Sequence, residues 1–293
     1  MHERLLEFIA CPVCRTALIF EGNRVNGRFA HGFFRCSGGH LYQVKEEIGL
    51  LKDAKMSTNE FQWKVDVADE KKYYAIRKQY DSYFREDQIA AMQKMRTKLV
   101  DRVASLCRGS NNVVLDVATG MGTFVLPLLE KVAEDTLVIG TDIDEKPLRG
   151  AMNKAKNAGT YPRLSLIVTD AKHLAFRKSS LSTISSYFGL DNVPEASLAF
   201  VECARILRSG GRLVFVSLWY KEDSESMKLA EKHHVSEIAS EIRLNKVLKK
   251  AGLLLDSVEE MYSGVWPHNP MDLLPVEGEE YSHVIVQARK PDH

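Results

Sequence analysis

Asp116, Gly120, Gly122 and Asp142 are the residues best placed for ligand chemistry, and Cys11, Cys14, Cys36 and His40 are best placed for a metal. In Val113-Val114-Leu115-Asp116-Val117-Ala118-Thr119-Gly120-Met121-Gly122-Thr123-Phe124, an apolar run ends in a carboxylate, and two glycines precede an apolar helical pattern. Glycine lets the backbone turn tightly against a ligand. A second apolar run, Val138-Ile139-Gly140-Thr141-Asp142-Ile143-Asp144, puts Asp142 about twenty residues beyond Gly122, where a second strand's carboxylate reaches a ribose hydroxyl pair in a Rossmann-type sheet. A dinucleotide loop has a third glycine so that pyrophosphate can sit on the helix N-terminus. Here that glycine is missing and bulky Phe124 follows, which suits a nucleoside ligand without phosphate, such as S-adenosylmethionine. The plainer alternative is a tight strand-to-helix turn, with Asp142 capping a helix that starts near Glu145.

The segment resembles motif I of the class I S-adenosylmethionine-dependent methyltransferases. The resemblance continues in register through Leu166-Ile167-Val168-Thr169-Asp170-Ala171 and through the Gly-Gly turn of Ile206-Leu207-Arg208-Ser209-Gly210-Gly211-Arg212-Leu213-Val214-Phe215-Val216. It implies cofactor contacts from Asp116, Ala118, Thr119, Gly120, Gly122, Asp142, Ile143, Asp170, Ala171 and Tyr187, with Asp170 against the adenine amine. Asp170 also reads as an ordinary turn or helix cap ahead of Lys172 and His173.

Cys11-Pro12-Val13-Cys14 and Cys36-Ser37-Gly38-Gly39-His40 have the spacing of a zinc ribbon. A Cys-x-x-Cys knuckle puts two thiolates on one side of a tetrahedral ion, and a second knuckle supplies a thiolate and an imidazole. Four ligands close the site, so the zinc is structural and folds a segment too small to build its own core. The alternative is a redox Cys-x-x-Cys pair with His40 incidental. Cys107 and Cys203 fall in apolar helical patterns and read as core residues. With no disulfide framework, signal peptide or membrane-length apolar run, the expected compartment is reducing cytoplasm, without membrane insertion. The ribbon resembles the small zinc proteins that activate tRNA and release-factor methyltransferases. It is also similar to the ribbon ahead of the catalytic domain in bacterial rRNA guanine methyltransferases, which implies an RNA contact. Loss of the ribbon is expected to leave cofactor binding largely intact.

These groups need elements to position them. The 293 residues suffice for a cofactor domain and a small accessory unit. The pattern predicts a zinc ribbon over 1–52, a linker over 53–70 and a methyltransferase domain over 71–293, with a possible lid at 221–243. From Val113 onward strand and helix alternate, which implies an α/β, Rossmann-like parallel sheet with helices on both faces and the ligand at the strands' C-terminal edge. Aromatic residues from Tyr73 to Phe84 and the periodic segment Ile89 to Cys107 precede it as helices, and a terminal hairpin encloses a loop with Trp266, Pro267 and His268. Val235, Ile238, Ala239 and Ile242 fall at helical spacing.

Lys and Arg total 40 against 39 Asp and Glu, so there is no global basic signature for nucleic acid. Basic clusters at Lys94, Arg96, Lys98 and Arg102 and at Arg243, Lys246, Lys249 and Lys250 read as solvated helix faces. Arg15, Arg24, Arg28 and Arg35 are the ribbon's candidate phosphate contacts.

Ser185-Ser186-Tyr187-Phe188-Gly189-Leu190-Asp191-Asn192-Val193 resembles the Phe-Gly-x-x-Asn-Val segment of the ubiquinone and menaquinone biosynthesis methyltransferases, except that Asp191 replaces the usual basic residue. Asn/Asp-Pro-Pro-Tyr and Pro-Cys acceptor motifs are absent. Asp191 is the candidate to orient or deprotonate an acceptor, with Tyr187 and Trp219 as aromatic walls; core packing and helix capping are the alternatives. The leading reading is methyl transfer to a small aromatic or quinone-like molecule. RNA methylation and a non-catalytic cofactor-binding or activator module are the alternatives, and the oligomeric state is open.

Overall fold

The computed structural model describes residues 1–53 and 70–292; most of the expected linker lies outside them. One eleven-stranded sheet runs through the molecule. Its N-terminal part is β1 (Leu18–Val25), β2 (Arg28–Cys36), β3 (Leu41–Lys45) and β4 (Ile48–Leu50), each antiparallel to the next. Next come helices α1 (Glu70–Asp81) and α2 (Glu86–Leu106).

The alternating region follows with β5 (Val113–Val117), α3 (Val125–Lys131), β6 (Leu137–Asp142), α4 (Glu145–Asn157), β7 (Leu164–Val168), β8 (Leu181–Tyr187), α5 (Ala196–Ile206) and β9 (Leu207–Tyr220). Beyond it are α6 (Glu225–Lys232), α7 (Glu241–Ala251) and the hairpin β10 (Leu254–Val265) and β11 (Glu280–Arg289).

The strand order is β1-β2-β3-β4-β7-β6-β5-β8-β9-β11-β10. From β4 to β9 all pairs are parallel, and β11 returns antiparallel to β9. β5 and β7 are buried at every position, as strands covered on both faces must be. The Gly-Gly turn is a bulge inside β9, whose register jumps from Leu207 to Arg212 opposite β8.

Helix faces follow from apolar spacing. α4 buries Leu148, Ala151, Met152 and Ala155, and Asp144 caps it by accepting from the Lys146 N–H. α7 ends at Gly252, a left-handed residue with φ 72°. Cys107 and Cys203 are buried, as expected.

The helical spacing read over residues 235–242 does not form a helix. Residues 233–240 run through turns, Ser240 caps α7 by accepting from the Arg243 N–H, and Ile242 is 61% exposed. Val235, Ile238 and Ala239 are nonetheless buried. Ser226 in α6 donates to Glu279 and accepts from the Val276 N–H, so residues 221–243 are tied to the β10–β11 loop.

β4 joins β7 at Ile48–Leu166, Gly49–Ile167 and Leu50–Val168. Met1, Leu5, Ile9, Phe29, Phe34 and Leu51 share a core with Ile167, Leu174, Phe176 and Phe200. No helix among the described residues is long and apolar enough to cross a membrane.

Candidate active site and metal centre

The loops at the C-terminal ends of β5, β6, β7 and β8 converge on one edge of the sheet. After β5 the chain passes through Ala118, Gly120 and Gly122, all with positive φ (56°, 55° and 81°). A Cβ at Gly122 would lie 3.0 Å from that of Ala151, so this glycine lets the loop approach α4. Phe124 is buried behind it.

Asp142 ends β6 with Oδ2 accepting from the Gly120 N–H at 2.8 Å and Oδ1 from the Asp144 N–H at 3.1 Å. The capping residue of α4 is therefore Asp144, and Asp142 braces the glycine loop; Ile143 beside it is half-buried. Asp116 lies beneath, accepting from Thr119 Oγ1 at 2.9 Å and Ser185 Oγ at 2.8 Å. Both its oxygens are engaged inside the protein, and burial pushes its carboxyl up to about 7.

Asp170 is buried and caps its own turn, Ala171–His173, by accepting from the Lys172 N–H at 2.8 Å; its Oδ2 lies 3.7 Å from His173 Nδ1. The capping alternative is thus realised through one oxygen, leaving the other with only this longer contact.

β8 ends at Tyr187, which turns toward α2, its hydroxyl 3.4 Å from the Met92 carbonyl and its ring edge-on to Phe188. Phe188 has φ 56°, and a Cβ at Gly189 would come within 2.5 Å of the Ala118 Cβ, so the β5 and β8 loops touch. Asp191 is not the cap of α5, whose N-terminal residue outside the helix is Glu195. Where β8 has ended, the Asp191 carboxylate reaches the next strand instead: Oδ1 accepts from Ser217 Oγ at 2.6 Å and the Leu218 N–H at 3.4 Å. Oδ2 is buried with no partner among the described residues, and burial pushes the carboxyl up to about 7.

The sequence reading missed the wall beyond Asp191. β9 and β11 extend past β8, pairing Leu218 with His283. His283 Nδ1 is buried among the rings of Tyr281, Phe188 and Tyr262 with no hydrogen-bond partner among the described residues, and burial pushes the imidazole down to about 3. Tyr80, Phe84, Trp266 and Tyr281 form an aromatic cluster beside it, where the Tyr80 hydroxyl donates to Asp272 at 2.8 Å. Trp219 Nε1 is also buried without a partner among the described residues. The only sequence signal was the aromatic content of α1 and the hairpin.

At the N-terminus, Sγ of Cys11, Cys14 and Cys36 and Nδ1 of His40 all lie within 4.8 Å of one another. Cys14 and Cys36 Sγ are 3.5 Å apart, and His40 Nδ1 is 3.5 Å from Cys11 Sγ and 3.3 Å from Cys36 Sγ. Metal–ligand bonds of about 2.0–2.3 Å in a tetrahedron give edges close to these. The Cys14 and His40 N–H groups donate to Cys11 and Cys36 sulfur, and Tyr42 Oη lies 3.1 Å from Cys11 Sγ. Three thiolates and an imidazole are a soft, zinc-fitting donor set.

The four arginines expected as RNA contacts each have a partner within the chain, those of Arg24 and Arg35 being exposed surface pairs. Arg15 binds the Leu174 carbonyl and Glu202, Arg24 pairs with Glu3, Arg28 with Glu47 and two carbonyls, and Arg35 with Glu21. Lys98 and Arg102 both pair with Glu259, and Arg243 with Glu222 and Glu231.

A parallel sheet of this order, with a glycine loop at its edge and an acid at the end of the next strand, defines the class I methyltransferase fold. The chain belongs to the ubiE/COQ5 methyltransferase family, whose family model matches residues 65–261 and so begins after the Cys/His cluster. It is 29% identical to demethylmenaquinone methyltransferase of Lactiplantibacillus plantarum over 45% of this chain and 56% of that protein. It is 32% identical to ubiquinone/menaquinone biosynthesis C-methyltransferase UbiE of Rickettsia prowazekii over 36% of this chain and 43% of that protein. The chain thus spans about half the length of these curated relatives. Among solved structures, geranyl diphosphate C-methyltransferase of Streptomyces coelicolor A3(2), in complex with Mg2+, geranyl diphosphate and S-adenosyl-L-homocysteine, matches with TM-score 0.53 and 13% identity over 68% of this chain and 80% of that one.

Proposed function

We propose that this protein transfers a methyl group from S-adenosylmethionine to a small hydroxylated aromatic acceptor of the quinol type, and that Cys11, Cys14, Cys36 and His40 hold a structural zinc ion in a unit formed by residues 1–52. The unpaired, buried Asp191 Oδ2 carries the reading of the acceptor. It lies within the Phe-Gly-x-x-Asn-Val segment and beside an aromatic wall, where a planar ring bearing a hydroxyl would find both stacking surface and an acceptor for its proton. The demethylmenaquinone and ubiquinone/menaquinone relatives support it. Three thiolate ligands suit a reducing, cytoplasmic compartment.

Bound S-adenosylmethionine would supply an electrophilic methyl group. Asp142 would hold the ribose hydroxyls, the backbone at Ala118–Gly122 would line the amino-acid side, and Asp170 and Ala171 would meet the adenine. Tyr187, packed toward α2, supports the Phe188 turn. Asp191 would take the proton of the acceptor hydroxyl, so that the ring carbon would form the new bond to the methyl carbon as the methyl–sulfur bond breaks and leaves its electron pair on S-adenosylhomocysteine; loss of that ring carbon's own proton to water would restore the aromatic quinol. Alignment, rather than a covalent enzyme intermediate, supplies much of the rate.

Methyl-labelled S-adenosylmethionine should label a reduced, demethylated naphthoquinol and leave total RNA unlabelled; label in RNA alone would overturn the acceptor assignment. Elemental analysis should find about one zinc per chain, because the four ligand atoms form one closed site, and Cys36→Ser should release it. A Cys36→Ser protein that keeps its zinc would remove Cys36 from the ligand set.

A further inference from the structure

The chain that follows the Asp170 turn is held by residues on either side of Cys11 and Cys14. Asp170 begins the turn Ala171–His173, and the chain continues into Leu174, Ala175 and Phe176, all fully buried. Ala10 and Arg15 flank Cys11 and Cys14 on either side, and both reach this chain. The Ala10 N–H donates to the Ala175 carbonyl at 2.9 Å, and Ile9 bridges Phe176. Arg15, in the left-handed region at φ 62°, donates through Nη1 to the Leu174 carbonyl at 2.8 Å and pairs through Nη2 with Glu202 at 3.2 Å.

Glu202 also holds Arg205, which donates to the same Leu174 carbonyl and to that of Phe176. Arg177 closes the junction by donating to the Ile9 and Leu6 carbonyls. Thus the knuckle's two ends are fixed to a turn whose other end carries the carboxylate assigned to adenine.

We propose that the metal knuckle is a positioning element of the cofactor site: by fixing Ala10 and Arg15 it holds residues 174–177 and, through them, the adenine-selective placement of Asp170. The proposal rests on the zinc and Asp170 readings above. A zinc ion joins Cys11 and Cys14 to the distant Cys36 and His40; without it the knuckle keeps its own backbone bonds, from the Cys11 N–H to the Thr16 carbonyl and from the Arg15 N–H to the Cys11 carbonyl, but is hydrogen-bonded to Cys36 and His40 through weak sulfur contacts alone. The expected consequence is opposite to that drawn from sequence, in which the ribbon could be lost with the cofactor still bound.

The test uses the full-length zinc-loaded protein and calorimetric binding of S-adenosylhomocysteine and S-inosylhomocysteine, which differ at the group an acid at Asp170 would recognise. Asp170→Asn should reduce the preference for the adenine compound. Arg15→Gln should keep its zinc, weaken S-adenosylhomocysteine binding by roughly tenfold, and reduce the same preference, while kcat at saturating S-adenosylmethionine stays near wild type. Arg15→Lys should recover part of the loss. Chelation of the zinc should reproduce the Arg15→Gln pattern. An Arg15→Gln protein with full zinc and an unchanged preference would overturn the coupling. An unchanged preference in Asp170→Asn would sink the adenine assignment and the proposal with it, and a wild-type protein without zinc would remove the metal reading beneath both.

Discussion

Asp142→Ala should weaken S-adenosylmethionine binding by about 2–4 kcal/mol, roughly 30- to 1000-fold, the scale of losing charge-assisted hydrogen bonds to a buried ligand. Two losses combine. The ribose hydroxyls lose their carboxylate, and the Gly120 N–H loses the acceptor that pins the glycine loop. Burial raises the Asp142 carboxyl above its ordinary value although backbone N–H donors oppose this, so ligand hydroxyls add to donors already recruited to the ionised form. Asp142→Asn, which keeps one acceptor oxygen, should fall between the two. Calorimetry checks this directly, and an unchanged Kd for Asp142→Ala would reject the ribose assignment.

Asp191→Asn should reduce turnover by about 10²- to 10⁴-fold, the range for loss of a positioned general base, with S-adenosylmethionine affinity retained. Its pH dependence provides a second readout. Proton acceptance requires ionised Asp191, so kcat/KM should rise with pH to a bend near 7 and then level, and the variant's residual rate should lack that bend.

Stability should move the other way. Because the folded pKa is raised above the unfolded value, folding binds a proton between the two; that stabilisation is complete below the unfolded pKa and is lost as pH rises through about 7. Asp191→Asn should therefore melt higher than wild type above pH 7, where wild type carries an unpaired buried charge. A variant that is inactive and also less stable at pH 8 would indicate a structural role for Asp191. Asp116, raised to about 7 by the same burial, keeps part of the pH-dependent decline in both proteins.

What the sequence revealed was local. The glycine loop, Asp142 and Asp170 each sit at a strand end, within a few residues of the apolar run that announces the strand, so period and punctuation sufficed to find them. The Cys/His cluster was legible because each of its two halves is a short contiguous segment. Asp191 was found as a residue, but its environment was not: its unpaired oxygen depends on Ser217 and Leu218, brought there by the β8–β9 pairing. His283 was invisible because only β11 lying against β9 places it beside Phe188. The partners of Arg15 and Arg28 at Glu202, Leu174 and Pro162 were hidden for the same reason, since they lie far along the chain, whereas Arg24 and Arg35 pair with the nearby Glu3 and Glu21. Periodicity also misled at Val235–Ile242, where buried Val235, Ile238 and Ala239 occupy turns and Ile242 is exposed at the start of α7.

The β4–β7 pairing has a consequence for how the chain comes to be made. Ile48 leaves the ribosome more than a hundred residues ahead of its partner Leu166. At synthesis rates of about 5–20 residues per second, β4 waits several seconds or more with one edge unpaired. Such a high-contact-order closure folds slowly, and an open strand edge invites pairing with another chain. The short length of β4, three residues, limits that exposure. Once β7 arrives, the two halves share a sheet and a core and should melt in one cooperative transition. Cutting the chain near residue 53 would therefore expose a strand edge on each fragment instead of releasing two independent modules.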